Sequence, residues 1–185
     1  MKSKLFLAVL ALGLTVATQA RAQVIFSTGP IGVVAWGEFV PFCKITSGAG
    51  LASINVSNGI TFSNTGFGTI NLACDVPAMM RVDPSAINAF GLTFYNNNGF
   101  AGGVNQCSVS TTMGAYPYAG GLPTAIGAFN TLNQTFSGRQ TANIPLTAFL
   151  DVNNNLYLIS VSLTRHTGAT CNPKVVATFL EEVIL

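Results

Sequence analysis

One histidine, His166, and six carboxylates are all that this 185-residue chain offers to acid–base chemistry. Serines and aspartates could complete a Ser/His/Asp set on paper. No G-x-S-x-G elbow occurs, and nothing in the sequence ties three such members together. His166 stands beside Thr167-Gly168 and reads as a solvated loop residue. Asp75 and Asp83 make no acid pair: Asp75 takes the outward parity of a strand, and Asp83 precedes Pro84 in a turn. Asp151 with Asn153-Asn154-Asn155 lacks the spaced carboxylates and distal glutamate of a calcium loop. Gly120-Gly121 leads into no amphipathic helix, so it cradles no phosphate. Tyr116 and Tyr118, read as loop residues, could stack on a sugar. Asn55-Val56-Ser57 and Asn133-Gln134-Thr135 fit the glycosylation triplet. The sequence therefore points to no catalytic residue, no cofactor and no metal.

Cysteine is the more informative chemistry. Cys43, Cys74, Cys107 and Cys171 make an even count without any C-x-x-C pair. A single histidine cannot complete a Cys/His zinc set. The four read as two disulfides of an oxidising compartment. Three connectivities are open, and Cys43–Cys74 with Cys107–Cys171 is the favoured one. The first bridge would contribute about 3–4 kcal/mol in the chain-entropy model.

Residues 1–22 agree with export. Lys2 and Lys4 precede an apolar core over residues 5–17, and Ala20-Arg21-Ala22 is a small-x-small cleavage site. That core is short for a membrane span, and no later run reaches span length, so the membrane matters only during export. Without Lys2, Lys4 and Arg21 the formal charge of +2 becomes −1, which removes the basic balance that nucleic-acid binding would need. So few charges leave a surface of Asn, Ser, Thr, Gln and Gly, which suits an exported protein packed against copies of itself.

The elements that would position any site read as short strands. Leu51–Ser57 alternates, Asn58-Gly59 follows, and Ile60-Thr61-Phe62 resumes, which is a strong hairpin signal. From Thr69 to Val76, Ile70, Leu72, Cys74 and Val76 share one face. Met79–Val82 is a short strand candidate, Pro84–Ala89 a single helical turn, and Leu92–Tyr95 a strand running into the turn cluster Asn96–Gly99. Val104–Thr112 is a Ser/Thr-rich strand carrying Cys107. Met113–Asn130, rich in Gly, Ala and Pro, reads as a long loop. Thr131–Arg139 is polar, with Leu132 and Phe136 as anchors. Residues 144–152 lead to the Asn153–Asn155 turn. In Leu156–Thr164 the pattern sets Leu156, Leu158, Val161 and Leu163 against Tyr157, Ile159 and Ser162, with one slip. Residues 175–185 close on an apolar run. No repeat, coiled coil or long helix is present. Many short strands between Gly/Asn turns predict an all-β sandwich.

One stretch fits poorly in a free monomer. Between Pro30 and Pro41, Ile31, Val33, Val34, Ala35, Trp36, Phe39 and Val40 crowd a run with one charge, Glu38. It reads as a strand apolar on both faces. Left uncovered, it is an aggregation hazard.

The chain resembles a fimbrial subunit of the chaperone–usher kind, including relatives with spore coat protein U-like domains. Four segments carry the resemblance: Val33–Val40 before the first cysteine; Cys43 with a Cys74 that ends Gly68-Thr69-Ile70-Asn71-Leu72-Ala73-Cys74; Ile144-Pro145-Leu146-Thr147-Ala148-Phe149, similar to the late L-P-F-x-A strand of pilins; and Ala177-Thr178-Phe179, like the A-T-F of their last strand. The resemblance implies an immunoglobulin-like sandwich of short antiparallel strands that lacks its final strand until another chain donates one. It implies a signal peptide over 1–22, a donor extension over 23–42 that acts through residues 31–40, and a pilin-like domain over 43–185. Its partners would be copies of itself or other fimbrial subunits, a periplasmic chaperone and an outer-membrane usher. It would pass through the periplasm to a surface fimbria. The competing reading is a secreted free-standing β-sandwich that binds carbohydrate or belongs to a surface matrix.

Overall fold

A computed structural model of the chain describes residues 21–27, 43–55, 59–63, 65–76 and 84–184. Strand β1 (Arg21–Ser27) precedes a body that opens with β2 (Cys43–Ser47), β3 (Ala52–Asn55), β4 (Gly59–Phe62) and β5 (Gly68–Val76). The middle holds β6 (Ala89–Tyr95), the two-residue strands β7 (Phe100–Ala101) and β8 (Val104–Asn105), β9 (Cys107–Pro117) and β10 (Thr124–Asn130). The last three are β11 (Arg139–Pro145), β12 (Asn155–Arg165) and β13 (Lys174–Ile184). The helical content of the described residues is two 3-10 turns, Ala49–Leu51 and Pro84–Ala86. No helix among those residues is long and apolar enough to cross a membrane.

The large sheets are antiparallel and face each other across one core. One runs β10-β9-β12-β5-β2, and the other runs β11-β6-β13-β4-β3 with β1 added on β13. In the first sheet β2, β5, β12 and β9 lie in the order of the first, second, fifth and fourth strands of an immunoglobulin-like sandwich. In the second, β6 beside β13 matches the third and sixth. The fold is the all-β sandwich that the strand pattern predicts, with the immunoglobulin-like strand order that the resemblance implies. Its core takes Ile70, Leu72, Cys74 and Val76 from β5, the face the alternation assigns, against Phe90, Leu92 and Phe94 from β6.

Both favoured disulfides are formed, Cys43–Cys74 and Cys107–Cys171. Cys43 and Cys74 are register partners on β2 and β5. The Cys107–Cys171 bridge ties the start of β9 to the loop before β13. Two bridges place the chain in an oxidising compartment, as an exported protein requires.

Several local readings hold and several change. The predicted hairpin is present, with Ile54 opposite Ile60, but Gly59 is already a strand residue opposite Asn55, and residues 56–58 between the strands lie outside the described residues. Gly59 sits at φ +85°, and a Cβ there would lie 2.0 Å from the Val175 carbonyl oxygen, so only glycine lets β4 approach β13. Residues 84–86 make the single turn expected, while Met79–Val82 lies outside the described residues. Met113–Asn130 is not a loop. Residues through Pro117 continue β9, and β10 returns beside it after a short turn. The small residues that suggested a loop make room for the core: a Cβ on Gly127 would come 2.8 Å from the Phe90 ring. In β12 the parity needs no slip. Tyr157, Ile159, Val161 and Leu163 are buried, while Leu156 and Leu158 point outward. Tyr157 can face inward because its hydroxyl accepts the Asp151 backbone N–H at 2.6 Å. Of the anchors expected in residues 131–139, Phe136 packs edge-on to Phe94, whereas Leu132 is exposed.

Candidate functional site

β13 is the strand around which the second sheet is built. One flank pairs with β6 from Lys174 to Glu181. The other flank pairs with β4 only at Lys174 and Val175. Beyond that short contact the same flank is taken by β1, which runs antiparallel from Ser27 opposite Phe179 to Arg21 opposite Ile184. Val24 faces Glu181 and Gln23 faces Glu182, with a bulge between Val24 and Phe26. This is the place where the seventh strand of an immunoglobulin-like sandwich lies beside the sixth. It is filled by a segment that precedes both disulfides in the sequence.

Packing at Phe179 sets the geometry of this flank. Phe179 is the partner of Gly91 on one side and of Ser27 on the other. Its ring lies over Gly91 so closely that a Cβ there would be 2.1 Å from two ring carbons. Gly91 thus seats the phenylalanine of the Ala177-Thr178-Phe179 segment, which lies within β13. The Ile144–Phe149 segment behaves differently. Ile144 and Pro145 end β11, and the chain then leaves the sheet. Leu146 N–H donates to Asn88 and Thr147 N–H to Ile126, and Phe149 is exposed. It is therefore a late strand only in its first two residues, because Pro145 offers no N–H to continue a ladder.

The donor residues expected from the sequence, Ile31, Val33, Val34, Ala35, Trp36, Phe39 and Val40, lie outside the described residues, as do Asp83 and residues 1–20 of the expected signal peptide. Among the described residues the segment on β13 is residues 21–27, whose first two, Arg21 and Ala22, belong to the expected signal peptide. Val24-Ile25-Phe26 was the available sequence signal, three consecutive strand-forming residues. It was overshadowed by the longer run that follows.

The residues considered for chemistry are not brought together. His166 is exposed, with its N–H donated to the Gln106 carbonyl. Asp75 is exposed on the outward face of β5. The Asp151 carboxylate accepts the Asn153 N–H at 3.2 Å and the Asn154 amide at 2.7 Å, so it closes its own turn. Among the described residues no group of three His, Cys, Asp or Glu side chains could hold a metal ion. Tyr116 lies one residue before the end of β9 on its outward face, directly opposite Leu156 of β12, and is not in a loop as the sequence suggested. Tyr118 is exposed in the following turn. Asn133 of the second glycosylation triplet is exposed at φ 59°. Part of the first triplet lies outside the described residues.

No family model matches the chain, and no curated protein does. Among solved structures it is similar to TmCBM61 in complex with beta-1,4-galactotriose, at 13% identity and a TM-score of 0.48 over 78% of this chain and 90% of that one. It is similar to a family 11 carbohydrate-binding module from Clostridium thermocellum, at 13% identity and 0.43 over 87% and 97%. A xylan-binding module of family 15 follows at 10% identity and 0.41 over 76% and 88%. All three TM-scores fall below 0.5, and the fold assignment above rests on this chain's own strand order.

Proposed function

We propose that the chain is an exported structural subunit of a surface fimbria, in which the flank of β13 is filled in the assembled state by an N-terminal strand of a neighbouring copy. One observation carries this reading: β1, outside the body closed by the two disulfides, takes the seventh-strand place through its ladder on β13. Exchanging residues 23–27, the part of β1 that follows the expected cleavage after Ala22, between copies keeps their ladder hydrogen bonds and changes only which chain supplies them. Residues 28–42 connect β1 to β2, a length that reaches at most about 50 Å. Because the contact is head-to-tail, repeated exchange builds an open filament. A periplasmic chaperone would cover the flank before assembly, and an outer-membrane usher would carry the subunit across. Neither this reading nor the next involves catalysis.

The test uses the register pair Val24 and Glu181. Copies carrying Val24→Cys are mixed with copies carrying Glu181→Cys and oxidised. Exchange gives a disulfide between chains, and a chain bearing both substitutions gives ladders of covalent oligomers. If the mixture yields no cross-link while the double variant closes only within itself, β1 belongs to its own domain and the fimbrial reading fails.

A second reading, a free-standing β-sandwich that binds carbohydrate or belongs to a surface matrix, is favoured by the exposed Tyr116 facing Leu156.

A further inference from the structure

We propose that the outward face of the five-stranded sheet is a binding site for an uncharged polysaccharide, with its centre on β9 and β12. The inference deepens the carbohydrate reading and rests on it for ligand class, but it needs no strand exchange at β13.

The face is built by alternation. Ser108, Ser110 and Thr112 occupy the outward parity of β9, each half-buried between buried inward residues. Ser160, Ser162 and Thr164 do the same on β12. The register sets them directly opposite: Thr112 faces Ser160, Ser110 faces Ser162, and Ser108 faces Thr164. Two central strands thus present a two-by-three grid of hydroxyls, repeating about every 7 Å along each strand and about every 5 Å between them. The grid continues onto β5, where the Ser162 hydroxyl donates to Asn71 at 2.6 Å and the Thr164 and Thr69 hydroxyls bond at 3.1 Å. The hydroxyls of Ser108, Ser110, Thr112 and Ser160 make no side-chain hydrogen bond with a described residue, so they are free to exchange water for a ligand.

At one end the grid meets an apolar ledge. Tyr116 lies across Gly114, where a Cβ would come 3.0 Å from its ring, and faces Leu156. Gly114 in turn faces Leu158, so the ring has space to lie along the sheet and not stand off it. A row of hydroxyls ending in an aromatic plate matches a polymer of hydroxyl-bearing rings with one apolar face.

Charge selects the occupant. β9, β10 and β12 place no charged side chain on this face, since Arg165 is buried on the inward parity. Asp75 of β5 is the register partner of Leu158, beside the ledge, and Lys44 of β2 is the partner of Ala73 on the outer edge strand, so the flank next to the ledge carries one charge of each sign. With Lys44 and Asp75 cancelling, such a face has no net charge to neutralise a polyanion or to attract a basic partner. It complements a neutral polyhydroxylated chain.

Affinity electrophoresis of the full exported chain tests the site, with gels containing hydroxyethyl cellulose, xylan or galactan as neutral probes and alginate as the polyanion. At least one neutral polymer should retard the parent, and alginate should not. Tyr116→Ala should weaken the retardation about tenfold, the size of one stacking contact. Ser110→Asp, a charge in the middle of the grid, should weaken it as well, and both variants should unfold at the parent's temperature within about 2 °C. No retardation by any neutral polymer, equal retardation of parent and variants, or stronger retardation by alginate would each overturn the proposal. Equal retardation of parent and variants would fault this site and leave the carbohydrate reading standing, no retardation by any neutral polymer would fault both, and neither result bears on cross-linking between Val24→Cys and Glu181→Cys copies.

Discussion

Replacing Gly91 with alanine tests whether the seat of Phe179 governs the β13 flank. The added Cβ would start 2.1 Å from two carbons of the Phe179 ring, against the 3.4–4 Å of ordinary contact, so the ring must move by more than 1 Å. Gly91 has no left-handed φ, so alanine adds no backbone strain there. The substitution even gains some stability, about 0.4–1 kcal/mol, by restricting the unfolded chain. Overpacking in a tight site costs about 1–3 kcal/mol. The steric cost wins at this contact, and the net loss should be about 1.3 kcal/mol, or roughly 3–5 °C in Tm for a domain of this size. Phe179→Leu alone should cost about 1 kcal/mol. On that background Gly91→Ala should be neutral or slightly stabilising, because the ring it strikes is gone. Urea unfolding of the four proteins gives the coupling energy. Because Phe179 also faces Ser27, Gly91→Ala should lower the yield of the Val24–Glu181 cross-link in the double-cysteine chain. Additivity of the two substitutions within about 0.5 kcal/mol would refute the reasoning. So would an unchanged cross-link yield in a destabilised Gly91→Ala chain.

The two bridges should differ little in weight. Replacing Cys107 and Cys171 with serine should cost about 4 kcal/mol, and replacing Cys43 and Cys74 about 3–4 kcal/mol, because their sequence separations are 64 and 31; chemical unfolding of each double variant checks the order. His166→Ala should change stability by less than about 0.5 kcal/mol, since the side chain is exposed, and polysaccharide retardation and cross-linking should both match the parent.

How far the sequence could be read depended on whether one face of a strand was polar. β5 was legible because Asn71 and Asp75 mark its outward side against Ile70, Leu72, Cys74 and Val76. β12 misled because Leu156 and Leu158 lie outside while a tyrosine lies inside, with its hydroxyl satisfied by a backbone N–H from the preceding turn. No pattern rule can anticipate that partner. The β9–β10 ribbon was missed for a different reason. Glycine and alanine there signal close packing, with Gly127 beneath Phe90 and Gly114 beneath Tyr116, and in a bare sequence this looks the same as turn chemistry. The hydroxyl grid was equally hidden. Ser108-x-Ser110-x-Thr112 and Ser160-x-Ser162-x-Thr164 are unremarked polar alternations until the register sets them opposite each other.

The flank of β13 differs from the other open edges of the two sheets in how it is guarded. β3 is four residues long, β2 carries Lys44, β10 is broken by an irregularity between Ala125 and Gly127, and β11 begins with Arg139 and ends in Pro145. Short length, charge, bulges and proline are the usual means of keeping an edge from pairing with another chain. β13 runs for eleven residues, carries no charge from Val175 to Leu180, and receives only two register pairs from β4 on this side. Covering by another strand is therefore the protection this flank has. The β1 ladder supplies it from within the chain, and under the proposed exchange the same segment of a second copy would satisfy the same bonds. The choice between them is set by concentration and by the length of residues 28–42. An exported copy deprived of residues 23–27 should thus pair its β13 with whatever strand is offered, and an added peptide of residues 23–27 should bind it in the register Ser27 to Phe179 and Gln23 to Glu182.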